Sequence, residues 1–171
     1  ELYDSLQLEH TYIDDISLRI LNQHIQQHQP TLVAFSVPFP GNLYAAFRAA
    51  QFIKKQFPSI RVAMGGGYPN TELRSLSDVR VFDFFDFITL DDGEAPIENL
   101  IEYLDGKRNQ EALKRTFVKH NNQVVYINGS KAFDYKQRDV GTPDYSDLLL
   151  DKYISVIEIV NPMHRMWSDG R

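Results

Sequence analysis

Three short runs rich in apolar residues, at 32–36, 60–64 and 86–90, are each followed by a turn and then by a segment of helical character. The first run, from Leu32 to Ser36, shows no alternation of apolar and polar residues. This is typical of a strand buried on both faces of a parallel sheet. The repeated order of strand and helix predicts an open parallel α/β sheet with right-handed crossovers.

The helical segments have apolar residues spaced to form one buried face. Asp14 or Asp15 is expected to cap the first helix, and Asn42 the second. In the third, Pro96 is expected at the first helical position, where a missing N–H has little cost. The predicted helices are 16–28, 43–57 and 96–104, with short helical turns over 73–85.

A hairpin pattern follows the third helix. Strand-like runs at 113–118 and 123–127 flank Asn121-Asn122, a pair suited to a tight turn. Beyond this hairpin the sequence is dominated by Gly, Pro, Asp and Tyr. We therefore expect an α/β domain over 1–128 and a linker over 129–171. Because a helix precedes the first predicted strand, we also expect a further strand upstream, in a longer protein.

Charge and composition exclude several functional classes. The chain of 171 residues has a net charge of −5 and no basic block, which argues against nucleic acid or an anionic membrane as partner. It has neither a run of about 18 apolar residues nor a signal-peptide pattern, so we expect a cytoplasmic setting. It has no cysteine, which excludes disulfides, thiolate nucleophiles and iron–sulfur ligation by this chain.

Small and hydrogen-bonding residues follow each of the three predicted strands. In an open α/β sheet, ligands bind beyond the carboxyl ends of the strands, at the switch in strand order. We therefore expect one shallow site there, for a flat or extended ligand. Its candidate residues are Ser36, Val37 and Pro38 after the first strand, Gly65, Gly66, Gly67 and Tyr68 after the second, and Thr89, Asp91, Gly93 and Glu94 after the third.

Three consecutive glycines are the most unusual part of this site. A dinucleotide fingerprint requires G-x-G-x-x-G, but Asn70 stands in place of the third glycine and Pro69 is expected to obstruct a helix start. A P-loop requires a Gly-Lys-Ser/Thr sequence, which does not follow. A turn with positive φ explains one or two glycines. We favour the interpretation that a ligand approaches the backbone here.

Other residues of chemical interest have simpler explanations. The carboxylates of the 91–94 turn are expected to be solvated or to cap the next helix rather than to bind a metal. His24 and His28 have the spacing of a metal-binding pair, but without a third ligand we favour a solvated surface. No nucleophile, base and orienting residue fall together, so a binding module without catalytic residues is favoured. Core packing is expected for Phe82, Phe84, Phe85 and Phe87.

Taken together, the motifs Phe35-Ser36-Val37-Pro38, Met64-Gly65-Gly66-Gly67-Tyr68-Pro69 and 86–94 give a strand-end serine, a glycine pair with a proline-containing loop, and a Gly-Glu turn. In this order they resemble the N-terminal cobalamin-binding domain of cobalamin-dependent radical S-adenosylmethionine enzymes. The resemblance covers residues 30–104. The tail from Thr142 to Tyr153 is more loosely similar to the linker that leads to the catalytic barrel of that family.

The resemblance implies a flavodoxin-like, Rossmann-like sheet with helices on both faces, holding the corrin across its carboxyl edge. Ser36 and the three glycines would line the pocket of the dimethylbenzimidazole tail, while Tyr68 and the 91–94 turn would border the corrin. The domain would place cobalamin for methyl transfer or another radical step in its own barrel domain. That domain would bind S-adenosylmethionine and the iron–sulfur cluster of the parent enzyme.

Two motifs of that family are absent from the sequence. It contains neither the Asp-x-His-x-x-Gly motif that supplies a lower cobalt ligand nor the Cys-x-x-x-Cys-x-x-Cys cluster motif. The iron–sulfur and radical steps would therefore belong to a downstream domain, and this chain alone is expected not to be catalytic. The alternative is a flavodoxin-like nucleotide-binding or protein-interaction module without cobalamin. In a third interpretation, the chain folds but binds nothing without the upstream strand.

Overall fold

A computed structural model of the chain describes residues 1–146, which contain one open five-stranded sheet. The first three strands run parallel, and the last two form an antiparallel hairpin on the same sheet. The predicted α/β class is confirmed, and the hairpin makes the sheet mixed rather than wholly parallel. In spatial order the strands are β1 (Leu32–Ser36), β2 (Arg61–Gly65), β3 (Phe87–Thr89), β4 (Thr116–His120) and β5 (Gln123–Ile127).

Within residues 1–146, five α-helices accompany the sheet. The helix before β1 begins earlier than predicted, because Thr11 and not Asp14 or Asp15 caps it. Thr11 Oγ1 accepts a hydrogen bond from the Asp14 amide at 3.2 Å, and the Asp14 carboxylate accepts one from the Thr11 amide at 2.9 Å. This reciprocal arrangement is a capping box. The helices are α1 (Leu2–Ser5), α2 (Tyr12–His28), α3 (Leu43–Gln56), α4 (Gly67–Glu72) and α5 (Glu94–Leu104).

Two prolines lie inside first helical turns. Pro69 lies in α4, so the expectation that it obstructs a helix is wrong, and Pro96 lies in α5 behind Glu94 rather than at the first position. Amides in the first turn of a helix have no intrahelical partner, so a proline there removes no hydrogen bond.

Apolar side chains on the two faces of the sheet form two separate cores. On one face, Met64 and Ile88 pack with residues of α2 and α3, including Ile25 and Ile53. On the other face, residues of β2, β3 and β4 pack with Leu100 of α5. The helices therefore cover both faces, as expected of a flavodoxin-like fold. The predicted core phenylalanines, Phe82, Phe84, Phe85 and Phe87, are all buried.

The chain divides into two compact units, 1–136 and 137–171. In the second, the described residues include a short helical turn at Gln137–Asp139, and the Asp144 carboxylate accepts a hydrogen bond from the Ser146 amide. The predicted linker beyond residue 146, including the part of the resemblance that ends at Tyr153, lies outside the described residues. Within residues 1–146, no helix has both the length and the apolar character needed to cross a bilayer.

Candidate functional site

The carboxyl ends of β1, β2 and β3 lie side by side at one edge of the sheet. Ser36 pairs with Gly65 in the register of β1 and β2. A Cβ added to Gly65 would lie 2.9 Å from the Thr89 hydroxyl oxygen, so the ends of β2 and β3 are also in contact. The structure thus brings together one candidate residue from each strand.

Strand order in the described sheet follows chain order from one edge to the other. The switch in strand order, where open α/β sheets bind ligands, is therefore not found among the described strands. β1 is the outermost strand on one side of the described sheet, and within residues 1–146 it pairs only with β2. The expected upstream strand stays a prediction.

Close contacts within the protein account for the glycine run. Gly66 has a φ of +102°, and its added Cβ would lie 2.7 Å from the Val37 nitrogen and 2.8 Å from the Val37 oxygen. An added Cβ on Gly67 would lie 2.8 Å from the Pro38 oxygen. Two backbone hydrogen bonds hold these loops together, from Val37 to Gly65 O at 2.8 Å and from Tyr68 to Val37 O at 2.9 Å. The loops after β1 and β2 can approach this closely only where β-carbons are missing, so the glycines alone do not indicate a ligand.

The turn after β3 is tied down by two arginines. Asp91 has a φ of +60°, and its carboxylate forms ion pairs with Arg74 and Arg115. Asp91 does not cap α5. The N-cap residue of α5 is Gly93, and among the described residues no side chain bonds the first amides of this helix. The Arg115 guanidinium also donates to the carbonyls of Leu90 at 3.3 Å and Asp92 at 3.1 Å. These bonds fix the path of the chain as it leaves the sheet.

A second carboxylate holds Arg115 in place. Both terminal nitrogens of Arg115 donate to the Asp134 carboxylate, at 2.9 Å and 2.6 Å. This forked hydrogen bond raises the pKa of Arg115 and lowers that of Asp134. Arg115 therefore stays charged and serves as a structural link between the 91–94 turn and the segment that follows β5.

The candidate residues differ in their access to a ligand. Val37 and Thr89 are buried, 1% and 7% exposed, and support the edge from beneath. Hydroxyl, carboxylate and backbone groups dominate the accessible part. The exposed residues are Ser36, Pro38, Gly67, Gly93 and Glu94, and the half-buried ones are Gly65, Gly66, Tyr68 and Asp91.

Two cavities adjoin the strand ends. The first, here called the Tyr68 cavity, encloses about 330 Å³ beneath α1 and is lined by Tyr68, Phe47 and Phe84 among others. The second, the Ser36 cavity, encloses about 490 Å³ between α2 and α3 and is lined by Ser36 and Val37 together with apolar residues that include Leu18, Leu21, Phe35 and Ala46. Neither is lined by the glycines or by the 91–94 turn.

A larger, more polar cavity lies at the opposite, amino ends of the strands. It encloses about 710 Å³ and includes Arg61 and Asp86. The Asp86 carboxylate is already bonded to Lys54 at 2.6 Å, to Arg61 at 3.2 Å and to the Val62 amide at 2.7 Å. Through these contacts Asp86 links α3 to the start of β2, which is a structural role.

The histidines of the described residues do not form a second site. His24 and His28 stack with their ring centroids 6.0 Å apart on exposed positions of α2. Among the described residues, no three histidine, cysteine or acidic side chains are close enough to hold a metal ion.

Sequence reasoning missed Asn70, Arg74 and Arg115. Their side chains hold the 91–94 turn although they lie far from it in the sequence, and no local pattern marks them.

Compared with known proteins, the chain matches no family model and no curated protein.

Proposed function

We propose that this chain is a cobalamin-binding domain that positions a corrinoid for a radical S-adenosylmethionine barrel in its parent protein. The motif resemblance supports this, and the structural observation behind it is the juxtaposition of Ser36, Gly65 and Thr89 at one sheet edge. Ligands of open α/β sheets bind at that edge. The proposal includes the cytoplasmic setting expected from the sequence.

The residues at this edge are compatible with cobalamin. The Ser36 cavity, at about 490 Å³, falls within the roughly 300–1,000 Å³ typical of small-molecule pockets. Its lining combines apolar side chains with the polar residues Thr11, Asp14, Ser17, Tyr44 and Arg48. We infer that the apolar part would hold a flat aromatic base such as dimethylbenzimidazole. Tyr68, Gly93 and Glu94 would border the corrin. When bound, cobalamin supplies the methyl-transfer or radical chemistry, and this chain holds and orients it.

Visible-absorption titration of hydroxocobalamin with the purified chain tests the proposal. We expect a saturable spectral change. A titration without such a change contradicts the proposal and leaves the nucleotide-binding or protein-interaction alternative, which gives no colour of its own.

Ser36→Phe is the variant that tests the location. Ser36 is exposed at the carboxyl end of β1, so a larger side chain there obstructs this edge of the sheet without disturbing the core. We expect a loss of affinity of roughly tenfold or more, equivalent to about 1.4 kcal/mol. Thr31→Phe, at an exposed position just before β1, is the matched control and should bind like the wild type. Gly66→Val is unsuitable as a binding test, because its side chain would collide with the Val37 backbone and destabilise the fold.

A further inference from the structure

One side chain joins the exits of β2 and β3. The Asn70 side-chain oxygen accepts a hydrogen bond from the Asp91 amide at 2.5 Å, and its NH₂ group donates to the Asp91 carbonyl at 3.5 Å. The first bond is the stronger of the two. Asn70 therefore pairs with both backbone groups of Asp91, much as a neighbouring strand would.

Asp91 needs such support because of its backbone conformation. At a φ of +60° it lies in the left-handed region, which a residue with a β-carbon adopts only at a cost in free energy. Arg74 reinforces the arrangement, since it bonds the Asp91 carboxylate and also donates to the Asn70 carbonyl at 2.7 Å. Arg115 holds the opposite side of the turn through Leu90 and Asp92.

Asn70 also connects this turn to the rest of the edge. It lies on α4, which begins at Gly67 directly after the glycine turn. Tyr68, which follows Gly67 in α4, donates from its amide to the carbonyl of Val37, the first residue after β1. The loops after β1, β2 and β3 are thus joined through α4 into one hydrogen-bonded unit.

We propose that Asn70 is a positioning residue that holds the 91–94 turn in the conformation that binds the ligand. By holding the turn, Asn70 sets the affinity of the sheet edge for its ligand. The part concerning affinity rests on the proposed function, whereas the part concerning the turn does not. A binding surface that is already ordered loses less conformational entropy when its ligand binds.

Amide hydrogen exchange in the absence of ligand tests the first part. In Asn70→Ala, the Asp91 amide loses its acceptor, and we expect its exchange to speed up about tenfold or more while the core strands keep their protection. Glu72→Ala, at an exposed position on the same helix, is the control. Asn70→Asp keeps the acceptor oxygen and should restore most of the protection. This rescue separates positioning from general destabilisation, and the variant keeps the test decisive if Asn70→Ala does not fold.

Hydroxocobalamin titration of the same three variants tests the second part. We expect Asn70→Ala to bind about tenfold more weakly than Glu72→Ala, and Asn70→Asp to lie closer to the control. Unchanged exchange at Asp91 in Asn70→Ala overturns the positioning role. Faster exchange with unchanged affinity overturns the link to the ligand. If even the wild type shows no saturable spectral change, the proposed function fails together with the affinity role, while the exchange data still decide whether Asn70 holds the turn.

Discussion

Asp14 combines burial with a dense set of hydrogen bonds. It is 6% exposed and accepts from the Thr11 amide and from the Tyr44 hydroxyl at 3.0 Å, with Arg48 Nε 3.8 Å away. Burial by itself raises the pKa of Asp14, but the bonds from Thr11 and Tyr44 and the charge of Arg48 together hold it below the ordinary value of 3.8. The folded chain therefore favours the ionised carboxylate.

This preference predicts a dependence of stability on acidity. Because the pKa of Asp14 is lower in the folded than in the unfolded chain, its contribution is present above the unfolded value and is lost as the pH falls through the folded one. Asp14→Asn should lower the melting temperature at neutral pH and show a smaller further decrease between about pH 5 and about pH 2 than the wild type. Thermal melts across this range are the measurement. Asp15→Asn, an exposed neighbour, is the control; equal pH slopes for wild type and Asp14→Asn would contradict the prediction.

The β4–β5 hairpin shows how a local pattern specifies an element. Its two-residue turn places Asn121 at a φ of +47° and Asn122 at +59°, between the paired residues His120 and Gln123. Two consecutive positive φ values define the turn type whose twist matches that of the strands. The Asn-Asn pair was therefore enough to predict the hairpin, although its first strand lies at Thr116–His120 rather than at 113–118.

Glycine at the second turn position should strengthen the hairpin. Asn122→Gly adopts positive φ without the β-carbon penalty, so we expect an increase of roughly 0.5 kcal/mol in the free energy of unfolding. Asn122→Ala should lower it by a similar or larger amount. Urea unfolding followed by far-UV circular dichroism compares the two. A stabilising Ala or a destabilising Gly would show that the turn conformation differs from the one described.

At the scale of the whole molecule, the segment after β5 belongs to the first compact unit. The amides of Gly129 and Ser130 bond the Leu113 carbonyl at 3.0 Å and 3.2 Å. Further along, the Lys114 ammonium bonds the Ala132 carbonyl, Arg115 bonds Asp134, and the Tyr135 hydroxyl bonds Glu98 at 2.9 Å. Lys114 is 7% exposed, so this segment provides partners for a buried charge.

Two truncations test this role. A chain of residues 1–136 should unfold cooperatively with a melting temperature close to that of residues 1–171, because it keeps the whole first unit. A chain of residues 1–128 loses Ala132 and Asp134 as partners of Lys114 and Asp134 as a partner of Arg115. Its free energy of unfolding should fall by roughly 2 kcal/mol or more. Calorimetry of the three chains gives the comparison. Equal stability of 1–128 and 1–136 would mean that residues 129–136 only cover the surface.

How far the site was predictable depends on the distance between contacting residues. The strand ends that carry Ser36, Gly65 and Thr89 followed from apolar runs and the turns behind them, which are local signals. The bond between Asn70 and Asp91 spans 21 positions, and no local pattern indicates it. The function of the glycines was also beyond sequence reasoning, because the atoms that exclude their β-carbons belong to Val37 and Pro38 on another loop.

The sequence by itself determined the order of the strands and of the three longer helices α2, α3 and α5, the buried faces of these helices and the hairpin, because periodicity and breakers act over a few neighbouring residues. The tertiary structure alone decided the spatial order of the strands, which follows chain order without a switch, and the addition of the hairpin to the parallel strands. It also decided which loops touch at the carboxyl edge. These features depend on the packing of residues far apart in the chain, which local propensity does not encode.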